Sequence, residues 1–307
     1  MASTRLPLIH VLAIATCVGA LVDPFTPFLL RDSERHVQWN LMKRNFGTRW
    51  EGQTRWLKPA RSGALESSSP PLSSVYQLEF PASTPGHGTW RGWNVIQAGD
   101  TREVALSEET VIDRTAGSTT FQFAGAGGRC SLATDGPGWG CEVNFFHGTR
   151  RSGLCVFYDT ATGELSGVMT MAFRSAPISH DGNETFVDTP EFTVTEPLDP
   201  IAGEVSAPPP ILRAASCSRV LSLARPYYEI SELSSPLADV DWSDTRGDSV
   251  LVEGFVDGLW LRAPRVLARD STISLGCNFS AIGGPFRAIT MLYEDADFTC
   301  VTCREYV

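Results

Sequence analysis

The chain has 307 residues, 42% hydrophobic and 20% charged, and its 25 basic against 35 acidic side chains give a net charge of −10. An acidic chain lacks the basic stripe that phosphate backbones or anionic membrane surfaces require, and this apolar content excludes disorder over most of the length. At roughly 150 residues per domain the length predicts two domains, and eight cysteines are too few for a disulfide scaffold.

Residues 1–20 read as a signal peptide. Arg5 forms the charged start, an apolar run covers residues 6–18, and Val18-Gly19-Ala20 supplies a small-residue cleavage site. The run is too short for a spanning helix, so no membrane span is expected in the mature chain. Residues 21–35 are a leader or possible transit segment. The signal leads either to a plastid or to secretion. Secretion would make Asn183-Glu184-Thr185 and Asn278-Phe279-Ser280 glycan acceptors.

Residues 31–46 form the one predicted helix, with Val37, Leu41 and Met42 on its apolar side and Arg31, Glu34, Lys43 and Arg44 opposite. Short alternating runs follow at 49–57, 75–80, 89–96, 103–106, 110–113, 119–124, 139–146, 151–158 and 165–174. Such strands, separated by glycine-containing turns, predict an antiparallel barrel or sandwich. Gly125-Ala126-Gly127-Gly128 looks like a phosphate loop but opens no helix, and reads as a flexible hairpin. Residues 177–212 are rich in proline, ending in Pro208-Pro209-Pro210, and read as a semi-rigid linker with at most one edge strand at 186–195. Strand-like runs resume at 219–224, 227–233, 249–256, 259–262, 272–279, 287–294 and 297–306. The expected organisation is therefore a first barrel over 36–176 and a smaller β domain over 213–307.

Three stretches resemble the DUF3598 family, whose members have a calycin or lipocalin-like fold. They are Trp39-Asn40-Leu41-Met42 continuing into Asn45-Phe46-Gly47-Thr48-Arg49-Trp50-Glu51-Gly52, then Glu142-Val143-Asn144-Phe145-Phe146-His147-Gly148-Thr149-Arg150-Arg151, and Asp257-Gly258-Leu259-Trp260-Leu261-Arg262-Ala263-Pro264. The usual G-x-W appears here as Gly47-Thr48-Arg49-Trp50, one residue longer. A plant member of that family is a biogenesis factor for the chloroplast ATP synthase. The resemblance thus implies an all-β fold of two calycin-like barrels, a plastid setting and a protein partner, with subunits of the ATP synthase head as the expected one.

On strand 139–146 alternate residues split into Trp139, Cys141, Val143, Phe145 and Glu142, Asn144, Phe146. Either the apolar set is core and Glu142 and Asn144 face water, or those two are polar anchors inside a ligand cavity. Trp50, Trp93 and Tyr158, like Phe121, Phe123, Met169 and Met171, read as core or as cavity wall. His147, Arg150 and Arg151 sit at the following turn, where they form a solvated loop or a grip for a carboxylate. The candidate binding residues are accordingly Trp50, Trp93, Glu142, Asn144, Phe146, His147, Arg150, Arg151 and Tyr158. The alternative to an assembly factor is a carrier of a small hydrophobic ligand such as a lipid, pigment or tetrapyrrole.

No catalytic set or metal spacing emerges. The five histidines are scattered, and Cys300-Val301-Thr302-Cys303 lies in a β run that sends its thiols to opposite faces. Neither enzymatic activity nor a cofactor is expected. Pairing of Phe146 with Arg151 would put Cys141 and Cys155 on opposite faces, while Cys130 and Cys141 bracket a turn and form another possible pair.

Overall fold

The computed structural model describes residues 26–109, 118–131, 138–176, 216–222, 229–231, 242, 250–268, 270–294 and 297–306. The signal peptide, residues 21–25 of the leader, the 110–113 strand, the proline-rich linker and the 186–195 strand lie outside the described residues, while residues 26–35 of the leader are helical.

One helix, α1 (Thr26–Phe46), precedes ten strands: β1 (Arg49–Pro59), β2 (Leu65–Ser67), β3 (Leu72–Glu79), β4 (His87–Trp93), β5 (Thr101–Ser107), β6 (Ser118–Phe123), β7 (Ala126–Ser131), β8 (Gly138–His147), β9 (Arg150–Asp159) and β10 (Leu165–Ala176). They form one antiparallel sheet in the order β5-β4-β3-β1-β10-β9-β8-β7-β6, with β2 paired to β1. A second antiparallel sheet comprises β11 (Ser216–Ser222), β12 (Glu229–Ser231), β13 (Val250–Gly254), β14 (Leu259–Pro264), β15 (Asp270–Asn278), β16 (Phe286–Glu294) and β17 (Asp297–Tyr306), in the order β12-β11-β17-β16-β15-β14-β13. The molecule is thus all-β and barrel-like. The Gly125–Gly128 stretch is a tight turn at Gly125 (φ +77°) followed by strand β7.

Strands β5 and β6 end the first sheet and do not pair, so it is a half-barrel. Helix α1 lies across the opening. Trp39, Met42 and Phe46, spaced at helical intervals, bury into the interior with Trp50, Tyr76, Leu78 and Phe173. Two amides seal the helix to the β6–β7 edge. Gln38 Nε2 donates to Gln122 O (3.1 Å) and Gln38 Oε1 accepts from Gln122 N (2.7 Å), mimicking one rung of a strand. Asn45 Nδ2 donates to Phe123 O (2.9 Å) and Gln122 Oε1 (3.1 Å). The inward face is therefore Gln38, Trp39, Met42, Asn45 and Phe46, whereas Val37, expected on the apolar side, is 46% exposed. Gly47 ends the helix, because a Cβ there would lie 2.3 Å from Lys43 O.

The two sheets share one core. From the first sheet Val143, Phe145, Leu154 and Val156, and from the second Leu261, Ile273, Leu275 and Ile289, pack into a single buried cluster. Polar latches hold both ends of this interface. At one end Tyr158 Oη donates to Pro264 O (2.9 Å), Leu165 N to Arg265 O and Leu267 N to Gly163 O (2.8 Å each), around a bridge between Glu164 and Val266. At the other, Arg287 Nη1 donates to Phe146 O (2.6 Å) and His147 stacks on Phe279 with ring centroids 5.5 Å apart.

Candidate functional site

Register fixes which side chains enter the half-barrel. Phe146 opposes Arg151, and Asn144 opposes Gly153. Alternation then turns Phe146, Asn144 and Glu142, with Arg151 and Cys155, toward the interior. The same alternation gives Cys141, Val143 and Phe145 to the shared core. Both faces of β8 are thus covered, which neither sequence reading of this strand considered. Its apolar set meets the second sheet and its polar set lies inside the first.

Arg151 is 2% exposed. Its Nε donates to Asn144 Oδ1 (2.9 Å), Asn144 Nδ2 donates to Glu142 Oε1 (2.8 Å), and Arg151 Nη2 stands 3.6 Å from that same oxygen. The rings of Phe46, Tyr76 and Phe173 surround the guanidinium, each centroid 5.1–5.2 Å from Cζ. Two polar atoms in this shell, Arg151 Nη1 and Tyr76 Oη, have no hydrogen-bond partner among the described residues. Burial pushes the Tyr76 phenol and the Cys155 thiol up, and pulls Arg151 down against the restoring charge of Glu142. The phenol therefore stays a donor, and a guanidinium keeps its charge even here. Gly153 makes the arrangement possible, since a Cβ there would sit 2.7 Å from Asn144 Oδ1 and from Met171 Cε.

Above this cluster opens a cleft of about 550 Å³. The end of α1 (Arg44, Asn45), Trp50, the turn at Ala124–Gly125 and Phe146–Gly148 line one side, and Arg287 and Glu305 of the second sheet the other. Arg287 Nε pairs with Glu305 (2.7 Å), leaving Arg44 and His147 as the cleft's other basic groups. A volume in this range suits a small molecule or a short peptide segment.

Of the sequence candidates, Trp50, Glu142, Asn144, Phe146 and Arg151 meet in the interior or at the cleft floor. His147 reaches the cleft wall. Arg150 pairs with His147 on the opposite face from Arg151, so the two arginines do not share a rim. Trp93 opposes Val75 rather than Tyr76 and lies on the outer face of the half-barrel. Tyr158 is a latch between the sheets. Phe121, Phe123, Met169 and Met171 are core. Sequence reasoning missed the roles of Tyr76, which reaches Arg151 only through sheet pairing, of Phe46, which the end of α1 lays on the guanidinium, and of Arg287, which enters the cleft from the second sheet. Cys141, Cys155, Cys277 and Cys303 are buried, and Cys141 and Cys155 fall in different core clusters. Cys130 stands opposite Cys141 in the ladder. Burial pushes the Cys141 thiol up to about 12. Asn278, in one of the sequons, turns its Oδ1 to Ser280 N (2.9 Å). Among the described residues no group of three or more His, Cys, Asp or Glu side chains could hold a metal, and no helix is long and apolar enough to cross a membrane.

No protein-family model and no curated protein matches the sequence. The fold does match a solved structure, that of a DUF3598-family protein of unknown function from Nostoc punctiforme, 16% identical, with a TM-score of 0.52, covering 88% of this chain and 99% of that one. The chain shares the fold of that DUF3598 protein across both sheets.

Proposed function

We propose that the protein is a non-catalytic assembly factor that acts in a plastid and holds a segment of another protein in the cleft between its two sheets. The observation that carries this reading is the composition of the cleft. Two latched sheets build one concave surface, with Arg44 and His147 facing it beside the Arg287–Glu305 pair on a chain of net charge −10. A carboxylate-bearing loop or strand end is the matching partner surface, because guanidinium groups bind carboxylates with paired, charge-assisted hydrogen bonds. The glycines along the wall (Gly47, Gly125, Gly148) let a partner backbone approach closely. The resemblance of the three sequence stretches to DUF3598 proteins names the expected partner, a subunit of the chloroplast ATP synthase head.

Affinity isolation of the tagged chain from its native cells, with quantitative mass spectrometry, tests the reading. ATP synthase head subunits should be enriched over an untagged control, and the exposed Arg44→Glu variant should lose them while remaining folded. Absence of any head subunit from the isolate refutes the assignment of partner. Retention by Arg44→Glu together with Arg287→Met refutes the cleft as its seat.

A further inference from the structure

Cys141, Cys277 and Cys303 are buried in the core that the two sheets share. One of them has a cysteine as its ladder partner. The pairing of β7 with β8 sets Cys130 directly opposite Cys141. Among the described ladders no other rung joins two cysteines. Cys155 opposes Glu142 and Met169, Cys277 opposes Leu259 and Arg287, and Cys303 opposes Arg219 and Ile289. The kind of rung matters as well. Phe146 N donates to Gly125 O (2.9 Å) where the same two strands meet at the turn. Bonded and unbonded rungs alternate in antiparallel pairing, so Gly127–Asn144 and Arg129–Glu142 are bonded rungs and Cys130–Cys141 is an unbonded one. The Cα atoms of an unbonded rung stand roughly 4.5 Å apart, within the span of roughly 4.4–6.8 Å that a disulfide bridges. Opposed residues also share one face of the sheet, and for Cys141 that is the face packed on the second sheet. As a thiol, Cys141 is pushed up to about 12 by burial, so this core accepts its sulfur only in a neutral form, thiol or disulfide.

We infer that Cys130 and Cys141 form a cross-strand disulfide when the chain folds in contact with a disulfide oxidant, and that the bond fastens the β6–β7 edge, on which α1 closes, to β8. The two thiols give up two protons and two electrons, one S–S bond joins the strands, and the oxidant's disulfide leaves as two thiols. A chain whose residues 1–20 act as a signal peptide meets such an oxidant while it folds. The inference is independent of the cleft and of its partner. To test it, the reduced full chain in urea is diluted into either excess oxidised glutathione or reduced glutathione alone. Refolding is followed by near-ultraviolet circular dichroism, and the chain is then denatured and alkylated with iodoacetamide. Trypsin cleavage at Arg129 and Arg150 releases residues 130–150, a peptide that holds both cysteines and no other. From the oxidised sample it should carry no label, and further cleavage before Asp135 should leave its halves joined until they are reduced. From the reduced sample it should carry two labels. The oxidised chain should also melt about 5 °C higher, as expected for closing so short a loop in a chain of this length, and Cys130→Ala should abolish that rise. Should the diluted chain fail to refold, the same peptide from chain exported to a bacterial periplasm carries the test. Two labels on the peptide from folded, oxidised chain, a glutathione adduct on either cysteine, or a link from either to a third cysteine overturns the inference. A rise on oxidation that persists in Cys130→Ala overturns the fastening of the edge.

Discussion

Replacing Asn45 by alanine should unfasten the seam between α1 and the β6–β7 edge. Its amide donates to Phe123 O at 2.9 Å, to Gln122 Oε1 at 3.1 Å and to Ala126 O at 3.2 Å, and its Oδ1 accepts from Gly125 N at 3.3 Å. The side chain is buried, so the groups left behind do not simply rehydrate. Counting the two shortest bonds at about 1–1.5 kcal/mol each, with a further penalty for a buried acceptor left alone, gives a loss of about 3 kcal/mol. Urea unfolding followed by tryptophan fluorescence reads this as a lower midpoint at unchanged slope. Asn45→Asp separates hydrogen bonding from shape. It keeps the volume and one acceptor but removes both donors and faces carbonyls with a charge, so it should cost at least as much as alanine. Gln38→Ala combined with Asn45→Ala should lose less than the two singles together, because both side chains hold Gln122. A loss below about 1 kcal/mol for Asn45→Ala, or a milder effect from Asn45→Asp, would refute the claim that these amides close the half-barrel.

Three further outcomes follow from the packing. Gly153→Ala forces a methyl group onto Asn144 Oδ1 and Met171 Cε, and should cost about 1–3 kcal/mol, seen as a lowered thermal midpoint. Arg287→Met deletes the charged donor to Phe146 O and should cost about 1.5–3 kcal/mol, with faster amide exchange confined at first to the 146–148 turn. The Cys141 thiol is pushed from 9.0 to about 12 in the folded chain, so its contribution to stability is complete below pH 9 and is lost as the pH climbs toward 12. An alkaline titration of stability should decline across that window, and iodoacetamide at pH 8 should label Cys141, Cys155, Cys277 and Cys303 only after denaturation. Labelling of all four in the native protein would contradict their burial.

Most strands were readable because alternation, glycine turns and β-branched or aromatic runs are local signals. Strand β9 was expected at 151–158 and spans Arg150–Asp159, and β17 coincides with its expected range of 297–306. Strand β7 was missed because Ala126-Gly127-Gly128 carries no side-chain pattern, although Gly128 is in a strand position where a Cβ would meet Glu142 O at 2.0 Å. The helix was found but its inner face was misread, since a buried face containing Gln38 and Asn45 does not look apolar. The interior polar cluster was half visible: Glu142, Asn144 and Arg151 lie in one sequence stretch, whereas Tyr76 joins them only through the pairing of β3 with β1 and of β1 with β10. That β8 would be covered on both faces was not legible, because burial by a distant sheet leaves no local periodicity beyond the strand's own.

The common core of the two sheets also bears on how the chain is made. Synthesis proceeds from the N-terminus, so β8 and β9 emerge well before β14–β16, which cover Val143, Phe145, Leu154 and Val156. Until the strands of the second sheet have been made, the first sheet presents a bare apolar wall that invites contact with neighbouring molecules. Removal of β17 should therefore harm the first sheet as well as the second.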